Sequence, residues 1–476
     1  MDGRHPLTAR RRAVAVVLAL GLAGCTGPTV TGHGVAGPAS GPGTPTAAPA
    51  SCPRSYVAPD PARPRMRLDF TIAPDHKTVH GDESVTFRPD LPVSQLVFRL
   101  TANTAPTVAE GNRIRIESAT ADHAAAHFTF SRANAAPSTQ GGLLRIPFRT
   151  RLAAGTVVTA HIRFTLTLGS KSFDRFGRVG GYVWFGSGEP LLAWQRDYGW
   201  HTEAMADFPA ESATSEAMDV HLTVHAPAAD TVIMSGDPAV PPAASHGMRT
   251  WTAHIGTARD VSVAAGPFRV ADTTVGSTRL RIAASSVARA RELVPEFQRA
   301  MRRLAAQFGP YPFPSLSVAR LPARGGGIEY PSSILLLGSS RVVDVHETAH
   351  QWFYAMVGDS QAQHPWLDEA FATYAEALVD GRGSAAEPLL RLPGRVDRST
   401  ESYGHRMRAY YETTYYKGAA ALLSARAAAG AAAWDAAMRC YVATNAWKIA
   451  TPTDFEAAIS KLPAAVRVLR EAGAIP

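Results

Sequence analysis

From Arg65 to about Pro267 apolar and polar residues trade places over short distances. Met66–Ile72, Gln95–Leu100, Val157–Leu168, Asp219–His225 and Val261–Ala265 are β-rich runs, mostly alternating, with Pro, Gly and Asp clusters between them. Successive strand side chains point to opposite faces, so such runs predict half-buried strands joined by turns. Many short strands without a helical period predict an antiparallel sandwich or saddle-like sheet. Spacing alone places no catalytic constellation here, and the expected job of this half is to wall one side of a cleft. The aromatic stretch Leu191–Trp200 reads as packing of Trp194 and Trp200.

After Ala271 the period lengthens. Val287, Leu293, Phe297, Met301 and Leu304 fall at helical spacings within Val287–Phe308, with arginines on the other face. Pro295 predicts a kink, or a helix that begins only just before it. Gly309, Pro310 and Pro312 then stop the helix. Leu316–Leu321 and Ser333–Leu337 read as strands, and helices follow almost continuously from Val343. The predicted class is α+β: an antiparallel β domain over residues 54–271, then a mainly helical domain with a small sheet over 272–476.

Composition adds bounds. At 476 residues the chain exceeds one ordinary core, and 46% hydrophobic with 18% charged residues can fill two or three. Arg10, Arg11 and Arg12 precede an apolar run, Ala13–Ala23, too short for a permanent span. It ends in Leu22-Ala23-Gly24-Cys25, which resembles the bacterial lipobox. Residues 1–24 are therefore expected to be a lipoprotein signal peptide, with Cys25 lipidated and the protein anchored to the cell membrane on its extracytoplasmic side. The stretch 25–53 is nearly all Gly, Pro, Ala, Thr and Ser, which reads as a disordered tether. Net charge is +8; without Asp2 and the arginines at 4 and 10–12 it is 44 basic against 39 acidic residues. No basic run interleaves with aromatics, so nucleic acid is not an expected partner. Cys52 and Cys440 remain, and an oxidising compartment would let them pair, although sequence does not place them together.

Chemistry concentrates in Val343–Glu376. His346, Glu347 and His350 form H-E-x-x-H, and Glu369 follows after eighteen intervening residues. Positions i and i+4 share a helix face, so two imidazoles can meet one metal. Glu347 can then serve as general base, while Glu369 on a second helix would complete a His, His, Glu set with a fourth position open for water. Gly325-Gly326-Gly327-Ile328-Glu329-Tyr330-Pro331 lies upstream and Tyr415-Tyr416-Lys417-Gly418 downstream. Gly326 and Gly327 would permit a peptide to add as an extra strand.

In these motifs the chain resembles the aminopeptidase N type of gluzincin zinc metallopeptidase, over most of residues 60–476. The resemblance implies an N-terminal β saddle, a thermolysin-like catalytic domain and one zinc held by His346, His350 and Glu369. It implies Glu347 as general base and Glu329 as the anchor for a peptide's free amino group. Tyr415 would be the oxyanion donor, with Tyr416 its one-residue alternative. Ile328, Tyr330 and Asp368 depart from the family's usual Met, Asn and Asn. Gln195 is a weak match to the family's second amine-binding residue. The large C-terminal helical domain of bigger relatives is expected to be missing. The expected activity is removal of N-terminal residues from peptides; the alternatives are an endopeptidase of the same fold and a weakly catalytic peptide- or partner-binding lipoprotein.

Overall fold

The computed structural model describes residues 52–476 except 123, 126, 172–174, 212–213, 242 and 382–386. The expected leader, Cys25 and nearly all of the expected tether lie outside the described residues.

Strand alternation organises the first half. In Arg65–Ile72, Met66, Leu68, Phe70 and Ile72 are buried while Arg65 and Arg67 face out. This strand lies inside a seven-stranded sheet, ordered Met248–Ala258, Met218–Pro227, Arg65–Ile72, Thr78–Phe87, Val158–Thr167, Arg113–Ala121 and Ala124–Ala125. All its pairs are antiparallel except Arg65–Ile72 with Met218–Pro227, which run parallel. The predicted antiparallel sheet thus contains one parallel pair. Two four-stranded sheets, one around Val93–Arg99 and one around Ser262–Gly266, close over it. Phe70, Phe98, Leu144, Phe164, Phe185 and Val263 meet in the shared core. Trp194 and Trp200 join it edge to face, centroids 4.7 Å apart, which is the packing role expected of them.

A five-stranded sheet leads into the second half, in the order Arg269–Val275, Thr278–Ala284, Ser315–Arg320, Ser333–Leu336, Gly327–Tyr330. The glycine-rich motif therefore forms its last strand, at an edge. Val287–Phe308 is one helix of 22 residues, and Pro295 sits within it rather than starting it. Ser286 caps its first turn by accepting from Arg289 N, and Phe297, Ala300, Met301, Leu304 and Phe308 are buried.

The helices after Val343 are less continuous than the periodicity predicts. Arg341–Ala349 stops at the second histidine, and Trp366–Val379 begins only after a run of tight turns. Tertiary contact overrides helical propensity there. The buried Arg259 guanidinium from the β half donates to the carbonyls of Tyr354 (2.9 Å) and Met356 (3.2 Å), which a continued helix would have used internally. Four further helices, Gly418–Ala429, Ala431–Asn445, Pro452–Ile459 and Pro463–Glu471, close the core over Trp352, Trp366, Phe371 and Trp434. Among the described residues no helix is long and apolar enough to cross a membrane.

Candidate active site

The helix Arg341–Ala349 starts at Ser340, whose hydroxyl accepts from Val343 N at 3.3 Å. Its apolar face, Val345 and Ala349, is wholly buried in the helical core. That fixes the rotation of the helix and turns His346 and His350 together, ring centroids 4.7 Å apart. Trp366, Leu367, Ala370 and Phe371 bury the first turns of Trp366–Val379 and so hold Glu369 still. Glu369 Oε2 stands 3.3 Å from His346 Nε2 and 3.6 Å from His350 Nε2. One ligand atom from each residue lies within 4.8 Å of the other two.

These separations fit a metal. Donors about 2.0–2.2 Å from a tetrahedral zinc stand roughly 3.3–3.6 Å from one another. Protonation fits as well: burial, then the neighbouring His350, holds the His346 imidazole well below its usual range, so its lone pair is free to coordinate. Burial and the carboxylates of Asp368 and Glu211 push Glu369 well above the usual carboxylate range. Burial does the same to Glu329, helped by Glu211, Asp368, Glu347 and Glu369. Carboxyl groups crowded in a dry place are stable together when a cation shares them. The donor set therefore fits one zinc.

Glu347, buried, lines the same cleft as the three donors, together with Gly326, Gly327, Glu329, Tyr411, Tyr415 and Tyr416. Gly327 passes so close that a Cβ there would lie 2.5 Å from Glu347 Cγ, whereas one on Gly326 would meet nothing within 4 Å. Only the second of the two glycines is demanded by close approach within the protein. Glu329 brings a carboxylate oxygen within 4.8 Å of ligand atoms on Glu347 and His350. Tyr415 OH donates to Glu369 Oε1 at 2.5 Å, and its ring lies parallel to His346 with centroids 6.0 Å apart. Burial and Glu369 raise this phenol well above its normal range, which keeps it a donor. Tyr416 also lines the cleft, so both readings of the tyrosine pair reach it.

Two residues near the site have roles that spacing did not reveal. Asp368 Oδ1 lies 2.5 Å from His350 Nδ1, and its other oxygen accepts from Gln361 Nε2 at 3.1 Å. A carboxylate on Nδ1 fixes the tautomer that presents Nε2 to a metal. The departure from asparagine thus keeps an orienting acceptor at this position and adds a charge to it. Glu211, from the β half, also lines the cleft. Burial would raise its carboxyl, but the Arg175 guanidinium, with which it makes a short ion pair, and a hydrogen bond with Glu369 hold it lower. Gln195, the weak match, is instead hydrogen-bonded to His201 Nε2 at 2.7 Å and is not among the residues lining the cleft. Tyr330 turns away as well: it is buried against Gly186 of the β half, where a Cβ would lie 2.1 Å from its ring.

Comparisons with known proteins agree with this geometry. Residues 337–471 match the model of the peptidase family M1 domain. An M1 zinc metallopeptidase from Deinococcus radiodurans, in its E323A mutant form, superposes with a TM-score of 0.63 at 21% identity, covering 88% of this chain and 95% of that one. The same mutant bound to a Tyr-Ser-Ala substrate gives 0.63 at 20% identity, covering 86% and 94%. A two-domain M1 zinc metallopeptidase bound to L-arginine gives 0.65 at 21%, covering 89% and 95%. No curated protein matches. Residues 337–471 thus match the peptidase family M1 domain, and the chain shares the fold of two-domain M1 zinc metallopeptidases.

Proposed function

We propose that this protein is a zinc aminopeptidase that removes single residues from the N-termini of peptides, working outside the cytoplasm on a lipid anchor at Cys25. The observation that carries the enzymatic reading is the meeting of Glu347, Tyr415 and Glu329 around the His346, His350, Glu369 set in one cleft. The location rests on the leader alone.

Zinc, when bound by His346, His350 and Glu369, supplies Lewis-acid polarisation of a scissile carbonyl and acidifies water from a pKa of ~16 towards ~7. The chain's own groups do the rest. Glu347 accepts a proton from the attacking water and returns it to the departing amine. Tyr415 donates its hydroxyl hydrogen to the oxygen on which charge develops. Glu329, on the edge strand Gly327–Tyr330, takes the substrate's ammonium group, and Glu211 faces the same hollow as a second acceptor. The edge position of that strand supports a peptide pairing with it as one more strand.

The test compares aminoacyl-amide reporters with N-acetylated peptides, with and without a chelator. Cleavage restricted to free amines and abolished by chelation is expected. Turnover of blocked peptides would make the enzyme an endopeptidase. No turnover of either, with Glu347→Gln indistinguishable from the parent, would leave a peptide-binding protein.

A further inference from the structure

Away from the cleft, the outer face of the seven-stranded sheet gathers a second set of metal-binding side chains. His221 on Met218–Pro227 and His254 on Met248–Ala258 are directly opposed across an antiparallel pair. Their rings stack at 21° with centroids 4.5 Å apart. Asp219 precedes His221 by two residues, so it shares that outward face. The register shifts between Met218 and Val220, giving the partner strand an extra residue beside Asp219. Asp219 Oδ1 then reaches His254 Nε2 at 2.6 Å. One ligand atom from each of the three residues lies within 4.8 Å of the others, the tolerance that also groups His346, His350 and Glu369.

We propose that Asp219, His221 and His254 form an accessory site for a divalent transition-metal ion, zinc or copper(II). Two imidazoles and a carboxylate suit those ions and not the oxygen-seeking magnesium or calcium. Each donor sits on paired strand backbone, so little order is lost on binding. His221 and His254 are exposed, leaving room for water to complete the shell. Arg65 and Arg67 stand opposite Asp219 and His221 on the neighbouring strand, and their charge weakens the site. It is therefore a weaker, exchangeable site than the buried one, suited to taking up and releasing an ion at the surface.

The experiment titrates zinc chloride into full-length protein whose buried site is already loaded, followed by calorimetry. One further equivalent is expected. His254→Gln and His221→Gln should each weaken it roughly tenfold or more and together abolish it, with peptide hydrolysis unchanged. His346→Ala should lose the tight equivalent and keep the weak one. No further equivalent taken up by the loaded protein, or a further equivalent that persists in the double variant, would overturn the proposal. Because the readout is binding at the β sheet, failure here says nothing of the peptidase reading.

Discussion

At the scale of single residues, the site divides into groups that would hold metal and groups that would move protons. Glu347→Gln keeps the size of the side chain and removes the proposed base, so kcat should fall about 10²–10⁴-fold with zinc content unchanged. Tyr415→Phe removes the hydroxyl proposed to serve the transition state, so kcat should fall about 10²–10³-fold with KM nearly constant. Asp368 behaves differently because it acts through His350. Asp368→Ala should lower zinc affinity about 10–100-fold, whereas Asp368→Asn, which keeps an acceptor for Nδ1–H, should recover most of it. Equilibrium dialysis against a zinc chelator reads that split. The two histidines were legible because their spacing is local to one helix. Glu369 was legible through its motif. The bond from Asp368 to His350 spans eighteen positions and a change of direction, and Glu211 comes from the other half of the chain; no local period encodes either meeting.

Elements impose a second set of constraints. The edge strand Gly327–Tyr330 presses on the H-E-x-x-H helix, and the two neighbouring glycines offer an internal comparison. Gly327→Ala drives a methyl to 2.5 Å from Glu347 Cγ, so activity should fall sharply while the far-ultraviolet dichroism stays unchanged. Gly326→Ala meets open space and should leave the unfolding temperature untouched. Inside the β half another element carries strain of a different kind. Glu83 lies mid-strand in Thr78–Phe87 on the buried face, and neither carboxylate oxygen has a hydrogen-bond partner among the described residues. Burial, then Asp260, pushes nearby Glu189 up to about 8, and burial, then Glu189, pushes Glu83 well above its usual range. The sign follows from linkage: these acids bind protons more tightly folded than unfolded, so stability is greatest below the unfolded pKa and declines as pH rises from about 4.5 to about 8. Glu189→Gln removes one of the ionisations and can keep an acceptor for Val261 N, which now donates to Glu189 Oε1 at 3.2 Å. The variant should melt higher than the parent at pH 8 and nearly level with it at pH 5. Alternation identified the strands well, yet a charged residue at an inward position is where such a pattern misleads.

At the scale of the whole molecule, Ala50–Pro476 packs as one unit, and Arg259 shows how the halves are joined. Its guanidinium reaches carbonyls of Ser215 in the β half and of Tyr354, Met356 and Lys448 in the helical half. The start of the described chain is fastened by similar means. Val57 N donates to Ala443 O at 3.0 Å, and Trp352 Nε1 donates to Tyr56 OH at 3.3 Å. This run brings Cys52, a free thiol, beside the free Cys440 on the helix Ala431–Asn445, although 388 positions separate them in sequence. An oxidant such as oxidised glutathione can take two electrons and two protons from this pair and leave one Cys52–Cys440 bond. Burial and Cys440 push the Cys52 thiol to about 11, so the reaction should quicken as pH rises. Closing so long a loop should add about 2–4 kcal/mol, or on the order of 4–8 °C in melting temperature. Peptide mapping without reductant should recover 52 and 440 in one linked fragment, and reductant should lower the melting temperature of the parent but not of Cys52→Ser. Equal melting of both proteins under oxidising conditions, with no linked fragment, would show that packing alone holds the first strand's approach in place.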